Sequence, residues 1–264
     1  MAGECILARR LSTYVQQDQP AGVPPLELTG ERTLPDVPEE NYWYRRHVAV
    51  YRSVADRCRG LDVVDMACGE GYGAAILAER AARVTGVDAN PEAHEHARLK
   101  YSRPGVRFVR ALVESYDEPC DAVVFLQTIE HLQDPGAVLD HFRSMLRPGG
   151  TAYVSTPNVL TLAPEGAEKS GNPWHVREYR AEEFRALCRA SFESVEMLGL
   201  FHARKLRLHE LAIRAGWDSL HPRLGITGPF YDWFTPAISE RDFVLRAAGE
   251  APLDRALDFV AVLR

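Results

Sequence analysis

The stretch Val63-Val64-Asp65-Met66-Ala67-Cys68-Gly69-Glu70-Gly71-Tyr72-Gly73 decides the fold. Its apolar opening reads as a buried strand. It then breaks into three alternating glycines and restarts as the helix-like Ala74-Ala75-Ile76-Leu77-Ala78-Glu79-Arg80. Strand, glycine turn and helix make the first crossover of a nucleotide-binding α/β sheet. Without a Cβ, glycine lets the backbone turn tightly and lie flat against a ligand. A second apolar run, Arg83-Val84-Thr85-Gly86-Val87, ends at Asp88. A carboxylate at that strand end can accept both hydroxyls of a ribose.

The spacing of the glycines and the charge around them narrow the ligand. Dinucleotide sites use G-x-G-x-x-G with a pyrophosphate over the helix N-terminus. Here the spacing is G-x-G-x-G, flanked by Asp65 and Glu70. Two carboxylates beside the turn suit a cation and repel a pyrophosphate. S-adenosyl-L-methionine carries a sulfonium, an ammonium and a ribose, and no phosphate. On Asp65-x-x-Cys68-Gly69-x-Gly71-x-Gly73 the chain resembles the class I S-adenosylmethionine-dependent methyltransferases. The resemblance implies a cofactor site built from Asp65, Gly69, Glu70, Gly71, Tyr72, Asp88 and Ala89.

Composition bounds the remainder. The chain has 264 residues, 46% hydrophobic, enough for one sizeable α/β domain with additions. A formal charge of −6 gives no global basic field for nucleic acid. Five cysteines (Cys5, Cys58, Cys68, Cys120, Cys188) are scattered without C-x-x-C spacing. That pattern points to a reducing cytoplasm and away from a disulfide framework or structural zinc. No apolar run approaches the roughly 20 residues of a membrane span, and Met1 to Arg10 lack a signal-peptide core. The oligomeric state stays open.

Along the chain, residues 1–27 read as a mobile leader. Residues 28–60 form an N-terminal segment and helix over the cofactor site, residues 61–200 and 254–264 the core, and residues 201–253 an insertion forming the acceptor wall. The helix, starting at Glu39, is dense in aromatics (Tyr42, Trp43, Tyr44, Tyr51) and bases (Arg45, Arg46, His47). One reading has Arg46 or a neighbouring base answer the cofactor's carboxylate; the other has the aromatics plug the sheet edge while the bases are solvated. Val106 to Arg110 is the third strand. Class I relatives often carry an acid just beyond it, near the adenine, where this chain has Leu112, so apolar contact is expected there. Cys120 to Leu126 is the fourth strand and runs into Gln127-Thr128-Ile129-Glu130-His131-Leu132. Thr151 to Thr156 is the fifth, Ser194 to Leu200 the sixth and Asp258 to Leu263 the last. This alternation predicts an α/β, Rossmann-like, seven-stranded and mostly parallel sheet with helices on both faces. Ligands then bind at the C-terminal strand ends. The glycine turn, Asp88, Leu112, Gln127, Glu130 and His131 all fall on that edge.

A closer resemblance runs from Thr29 onward. Thr29-Gly30-Glu31-Arg32, the aromatic-basic helix, the glycine turn, Ile129-Glu130-His131-Leu132, Ser155-Thr156-Pro157-Asn158 and Asn172-Pro173-Trp174-His175-Val176-Arg177-Glu178 occur together in a bacterial methyltransferase group associated with glycan assembly. Glu40-Asn41-Tyr42-Trp43 leading into Arg45-Arg46-His47 is similar to its actinobacterial, methylglucose lipopolysaccharide-linked branch. The resemblance implies O-methylation of a sugar or saccharide hydroxyl, with a small-molecule or oligosaccharide acceptor. The alternatives are methylation of a small natural product or quinone, and a non-catalytic S-adenosylmethionine-binding regulatory module.

The sulfonium activates the methyl group, so the protein must mainly align the acceptor. A hydroxyl must also lose its proton, which a positioned base assists by roughly 10²–10⁴-fold. His131 is the first candidate base and His175 the second, with Glu130 beside them; each histidine could instead be a structural residue satisfied by a carbonyl. Glu130, His131 and a remote His175 also resemble the metal site of the small-RNA 2′-O-methyltransferases, where a divalent ion (Mg²⁺ or Mn²⁺) binds a vicinal diol. Gln127 stands where that pattern has its first glutamate and brings no charge. On either reading, the three side chains are expected to converge.

Overall fold

The computed structural model describes residues 16–29, 32–164 and 166–264. Eight strands form one sheet in the order β3-β2-β1-β4-β5-β8-β6-β7. They are β1 (Asp62–Met66), β2 (Arg83–Asp88), β3 (Val106–Arg110), β4 (Cys120–Leu126), β5 (Leu146–Pro157), β6 (Val195–His202), β7 (Phe243–Ala247) and β8 (Asp258–Leu263). β1 pairs in parallel with both β2 and β4, and β4 in parallel with β5. β8 is antiparallel to both β5 and β6. β7 was not expected: Phe243-Val244-Leu245-Arg246-Ala247 lies within the insertion, and five residues are too few for periodicity to separate strand from helix. It pairs antiparallel with β6 and adds an eighth strand at the sheet edge.

The central strands are apolar on both sides because both faces are covered. In β4, Val123 and Phe125 enter one core while Ala122, Val124 and Leu126 enter the other, the period of two of a pleated strand. The first face packs against α4 (Pro135–Met145) and α6 (Ala181–Ser191) through Leu139, Phe142 and Phe184. The second packs against α1 (Asn41–Arg57) and α2 (Tyr72–Leu77) through Val48, Val54 and Leu77. Helix α3 (Pro91–Tyr101) follows β2, and the four-residue α5 (Val159–Leu162) follows β5. Three further helices fill the insertion: α7 (Arg204–Arg214), α8 (Trp217–Arg223) and α9 (Thr227–Phe234). The four described cysteines are free and buried, and among the described residues no helix is long and apolar enough to cross a membrane.

Residues 1–15, with Cys5, and Gly30 and Glu31 of the Thr29–Arg32 motif lie outside the described residues. The described part of the leader departs from the mobile expectation, because its side chains have partners. Gln16 Nε2 donates to Glu70 at 3.1 Å, the Pro24 carbonyl accepts from His96 Nδ1 at 2.7 Å, and Leu26 packs with Leu34 and Val37. Residues 16–27 are therefore a strap fastened to α3.

Helix α1 is locked to the sheet end by a buried ion pair. Arg46 Nε donates to Asp258 Oδ2 at 2.6 Å, Nη2 donates to Asp258 Oδ1, and Nη2 also donates to the Leu257 carbonyl at 2.7 Å. Arg46 is 5% exposed and Asp258 1%, so neither ion can fall back on water. Breaking a buried pair from one side strands the other charge, at a cost of about 3–5 kcal/mol. Arg46→Leu is therefore expected to lower unfolding free energy by roughly that amount in urea titrations. The double variant Arg46→Leu/Asp258→Leu should recover much of the loss; a single variant within error of the parent would show that the pair locks nothing.

Candidate functional site

The order of strands reverses between β1 and β4, and the site gathers there. Each of these strands is followed at once by a non-glycine residue with positive φ, Ala67 at 53° and Gln127 at 53°. Such backbone costs of order 1–3 kcal/mol and persists only where neighbours over-determine it. They do here. Cys68 N donates to the Val87 carbonyl at 3.0 Å, and Gln127 N donates to the carbonyl and hydroxyl of Ser155, each at 3.1 Å. The Gln127 side-chain amide donates to the same hydroxyl at 3.0 Å.

Two glycines of the turn have different reasons to be glycine. Gly71 (φ 96°) is demanded by packing, since a Cβ would lie 2.8 Å from Ala97 Cβ and 3.0 Å from Phe108. Gly69 (φ 55°) is glycine for its backbone conformation, since nothing lies within 4 Å of a Cβ there. Asp88 pins the turn: Oδ2 accepts from Gly69 N and Oδ1 from Asn90 N, both at 2.8 Å. Ala89 beside it is exposed, as is Leu112, 60% accessible just past β3.

Asp65 lies fully buried beneath the turn. Tyr51 donates to Oδ1 at 3.1 Å, whereas Oδ2 has no hydrogen-bond partner. Burial pushes its carboxyl up to about 8, with the Asp88 charge adding to the rise and the Tyr51 bond opposing it. A buried acceptor without a donor is costly, and a cationic, hydrogen-bonding ligand over the turn would relieve it. The open face of Gly69, the Asp88 carboxylate and this orphaned oxygen fit an ammonium- and ribose-bearing cofactor.

Two expectations for this site are corrected. Glu70 does not face the ligand side: it is 2% exposed, takes a bond from Tyr101 at 3.1 Å and lies 2.9 Å from His96 and 3.6 Å from Lys100. It points instead at α3, where Lys100 and the His96 ring already answer it. Arg46 does not face the cofactor's carboxylate either, because Asp258 and Leu257 hold Nε and Nη2. Tyr72, the first residue of α2, meets the aromatic face of α1. Its hydroxyl meets His47 Nδ1 at 2.9 Å and its ring lies edge-on to Tyr44 and Tyr51, forming the aromatic plug beside the turn. Burial lowers His47 to about 4, so it adds no charge there.

Glu130, His131 and His175 are brought together, with ligand-type atoms all within 4.8 Å of one another. The cause is main-chain. The Glu130 carbonyl accepts from Val176 N at 2.9 Å and Arg177 N at 3.1 Å, clamping the His175 loop onto the turn after β4. His131 Nδ1 lies 2.9 Å from the Trp174 carbonyl. A carbonyl only accepts, so Nδ1 carries a proton in this contact. The rings of His131 and His175 stand edge-to-face with centroids 5.1 Å apart. His175 Nδ1 bonds Glu178 at 2.7 Å and its Nε2 meets the Asn172 amide nitrogen at 3.0 Å. Burial alone would raise Glu178, but bonds from the Ser170 hydroxyl and amide and from His175 hold it below the usual carboxylate range. Glu130 is 1% exposed; burial pushes it up to about 8 against a bond from the Thr156 hydroxyl at 3.1 Å. Tyr51, Thr156 and Glu178 escaped the sequence reading of the site. Glu178 and Thr156 lay within motifs already singled out, whereas no sequence signal placed Tyr51 under Asp65.

A cleft of about 720 Å³ opens beyond Asp258, between α1, α5 and α7. Trp43, Tyr42, Phe201 and His202 give it aromatic walls, and Arg207, Arg246 and Arg255 line it with charge. Tyr42 OH bonds His202 Nε2 at 2.8 Å, and Glu210 lies 3.4 Å from the other ring nitrogen.

A family model described as a methyltransferase domain matches residues 41–211. A protein of Mycolicibacterium smegmatis described as a probable S-adenosylmethionine-dependent methyltransferase is 40% identical over 245 residues, covering 90% of this chain and 94% of its own. A Mycobacterium tuberculosis protein of the same description is 39% identical over 246 residues, covering 90% and 89%. Among solved structures, an S-adenosylmethionine-dependent methyltransferase of Mesorhizobium loti superposes with a TM-score of 0.54 at 20% identity, covering 83% of this chain and 98% of that one. A Thermotoga maritima structure gives 0.55 at 18%, covering 86% and 94%. These structural likenesses bear on the fold alone.

The buried Asp65 makes stability fall with rising pH. An acid whose folded value lies above its unfolded one binds its proton more tightly when folded. Its penalty is absent below the unfolded value, 3.8, grows as pH rises, and is complete above about 8. Without ligand, the parent's thermal midpoint should therefore drop more steeply between those limits than that of Asp65→Asn. Parallel pH profiles in differential scanning calorimetry would contradict the assignment.

Proposed function

The chain belongs to the S-adenosylmethionine-dependent methyltransferases, and from that premise we propose that it methylates a hydroxyl of a sugar or saccharide held in the cleft beside Asp258. The observation that carries the reading is the convergence of Glu130, His131 and His175, with the Trp174 carbonyl orienting the His131 ring through Nδ1. Bound over the Gly69 turn, S-adenosylmethionine would supply an electrophilic methyl group. Gly69 would offer its backbone to the cofactor, Asp88 would take the ribose hydroxyls, Asp65 would answer the cationic end, and Leu112 and Ala89 would border the base.

The protein's own part is alignment and proton removal. His131 Nε2 accepts the acceptor's hydroxyl proton as the oxygen–methyl bond forms and the methyl–sulfur bond breaks. Glu130, protonated by burial, donates to or orients the same hydroxyl. Trp174 and Glu178 hold the two rings in their tautomers. The insertion supplies the acceptor wall through α7 and Arg246.

Polar lining supports a saccharide over a quinone, since apolar rings find little use for Arg207, Arg246, Arg255 and Glu210. A second reading has some support in sequence. A ubiquinone biosynthesis O-methyltransferase of Xylella fastidiosa is 34% identical over 119 residues, covering 41% of this chain and 48% of its own. That protein, too, is described as an O-methyltransferase. Glu130, His131 and His175 also form a donor set suited to Mg²⁺ or Mn²⁺. The Asn172 amide already satisfies His175 Nε2, and Gln127 turns its amide nitrogen to Ser155, so the metal-free base is preferred.

Turnover with oligosaccharide acceptors tests the proposal. His131→Ala should cut kcat by roughly 10²–10⁴-fold while calorimetric affinity for S-adenosylhomocysteine holds. Asp88→Ala should lose that affinity instead. A chelator should leave the parent's rate unchanged; loss restored by Mg²⁺ would move the assignment to the metal. Unimpaired turnover by His131→Ala would remove the base.

A further inference from the structure

Every strongly exposed residue of α7 lies on one face. Arg204, Arg207, Leu208, Leu211 and Arg214 are exposed, and their spacing of three and four brings them together. Leu208 is 69% accessible and Leu211 52%. The inner face is committed elsewhere: Leu206 is buried, and His209 stacks on Phe230 and meets Phe234. Large apolar side chains left in water are concentrated in the same three helices. Of the eleven among the described residues, six fall between Arg204 and Phe234: Leu208, Leu211, Leu220, Leu224, Ile226 and Trp233.

The charge on this surface is mostly positive, against the trend of a chain carrying −6. Between Arg204 and Phe234 the exposed charges are Arg204, Arg207, Arg214, Arg223 and one acid, Asp232. Arg214 is paired with Glu210. Among the described residues Arg204 and Arg223 form no ion pair, and the Arg207 charge acts with that of Arg214 on Glu210.

We propose that the exposed face of α7, with the flanking apolar side chains of α8 and α9, seats on an anionic lipid bilayer surface. Alternating arginine and leucine on one helix face is the composition of an interfacial helix, with leucines entering the acyl boundary and guanidiniums meeting phosphates. Nucleic acid would answer the arginines but offers no apolar layer for Leu208 and Leu211. A second copy joined through a two-fold axis would set the arginines of one α7 against those of the other. Arg207, Leu211 and Arg214 also line the cleft, so its mouth opens where the lipid would lie. If the proposed acceptor reading holds, an amphiphilic acceptor could enter from that surface; lipid seating itself does not need that reading, because binding is measured without turnover.

The test is co-sedimentation of the full chain with phosphatidylcholine vesicles with and without phosphatidylglycerol. The protein should pellet with the anionic vesicles only, and less so as salt rises. Arg204→Gln/Arg207→Gln should lower partitioning roughly tenfold or more, and Leu208→Asp should lower it comparably. Both variants should keep the parent's thermal midpoint and its affinity for S-adenosylhomocysteine, which separates a failed surface from a failed fold. The double variant carries the test if Leu208→Asp does not fold. Absence of binding to anionic vesicles, or equal binding to neutral ones, would overturn the proposal. So would a dimer in sedimentation equilibrium that Leu208→Asp dissociates, since the face would then belong to a second copy.

Discussion

Parallel pairing of β1 with both of its neighbours is the constraint from which the site follows. Strands that run in parallel end on the same edge, and a strand order that reverses leaves a crevice between the two central ends. β1 and β4 meet there, and each hands its chain to a left-handed residue, Ala67 and Gln127. Those bends lead into the glycine turn and the Glu130–His131 turn at the same edge of the sheet. Neither bend is relaxed locally; Val87 and Ser155 on neighbouring strands hold them. Sheet pairing thus fixes the positions of groups far apart in sequence.

The buried carboxylates at this edge are stabilised in different ways. Asp258 is matched by the Arg46 guanidinium and Glu70 by Lys100 and the His96 ring of α3. Both are spent on holding elements together, α1 to the sheet and the glycine turn to α3. Asp65 and Glu130 have no cation beside them among the described residues, and burial drives both up to about 8. Strongly perturbed groups in a crevice are candidates for work on a ligand, and these two lie on the faces where cofactor and acceptor are proposed to meet. Charge without a partner, more than charge as such, separates site from scaffold here.

The insertion between β6 and β8 has a double aspect. Its inner side builds the aromatic and arginine-lined cleft, and its outer side leaves Leu208, Leu211 and Trp233 in water. Strand β7 ties the insertion back to the sheet through β6. The one helix α7 contributes to both sides, which couples whatever lies outside to what enters the cleft.

Much of this was written locally in the chain. Short apolar runs bounded by glycine and proline set seven of the eight strands, because strand alternation and turn chemistry act over a few residues. The glycine turn, Asp88 at its strand end and the Glu130–His131 pair were legible for the same reason. What the sequence could not determine was where side chains aim. Glu70 and Arg46 have the charge of ligand-binding residues, and only packing shows that α3 and Asp258 already hold them. Asn158 stood in the sequence only as part of a motif after the fifth strand; its amide donates to the carbonyls of Leu253, Asp254 and Ala256, nearly a hundred residues on. The leader from Gln16 read as loose for want of periodicity, yet it is held by the Glu70 and His96 side chains. Local propensity selects the elements, and long-range burial, which desolvates some charges and pairs others, decides what each polar side chain can do.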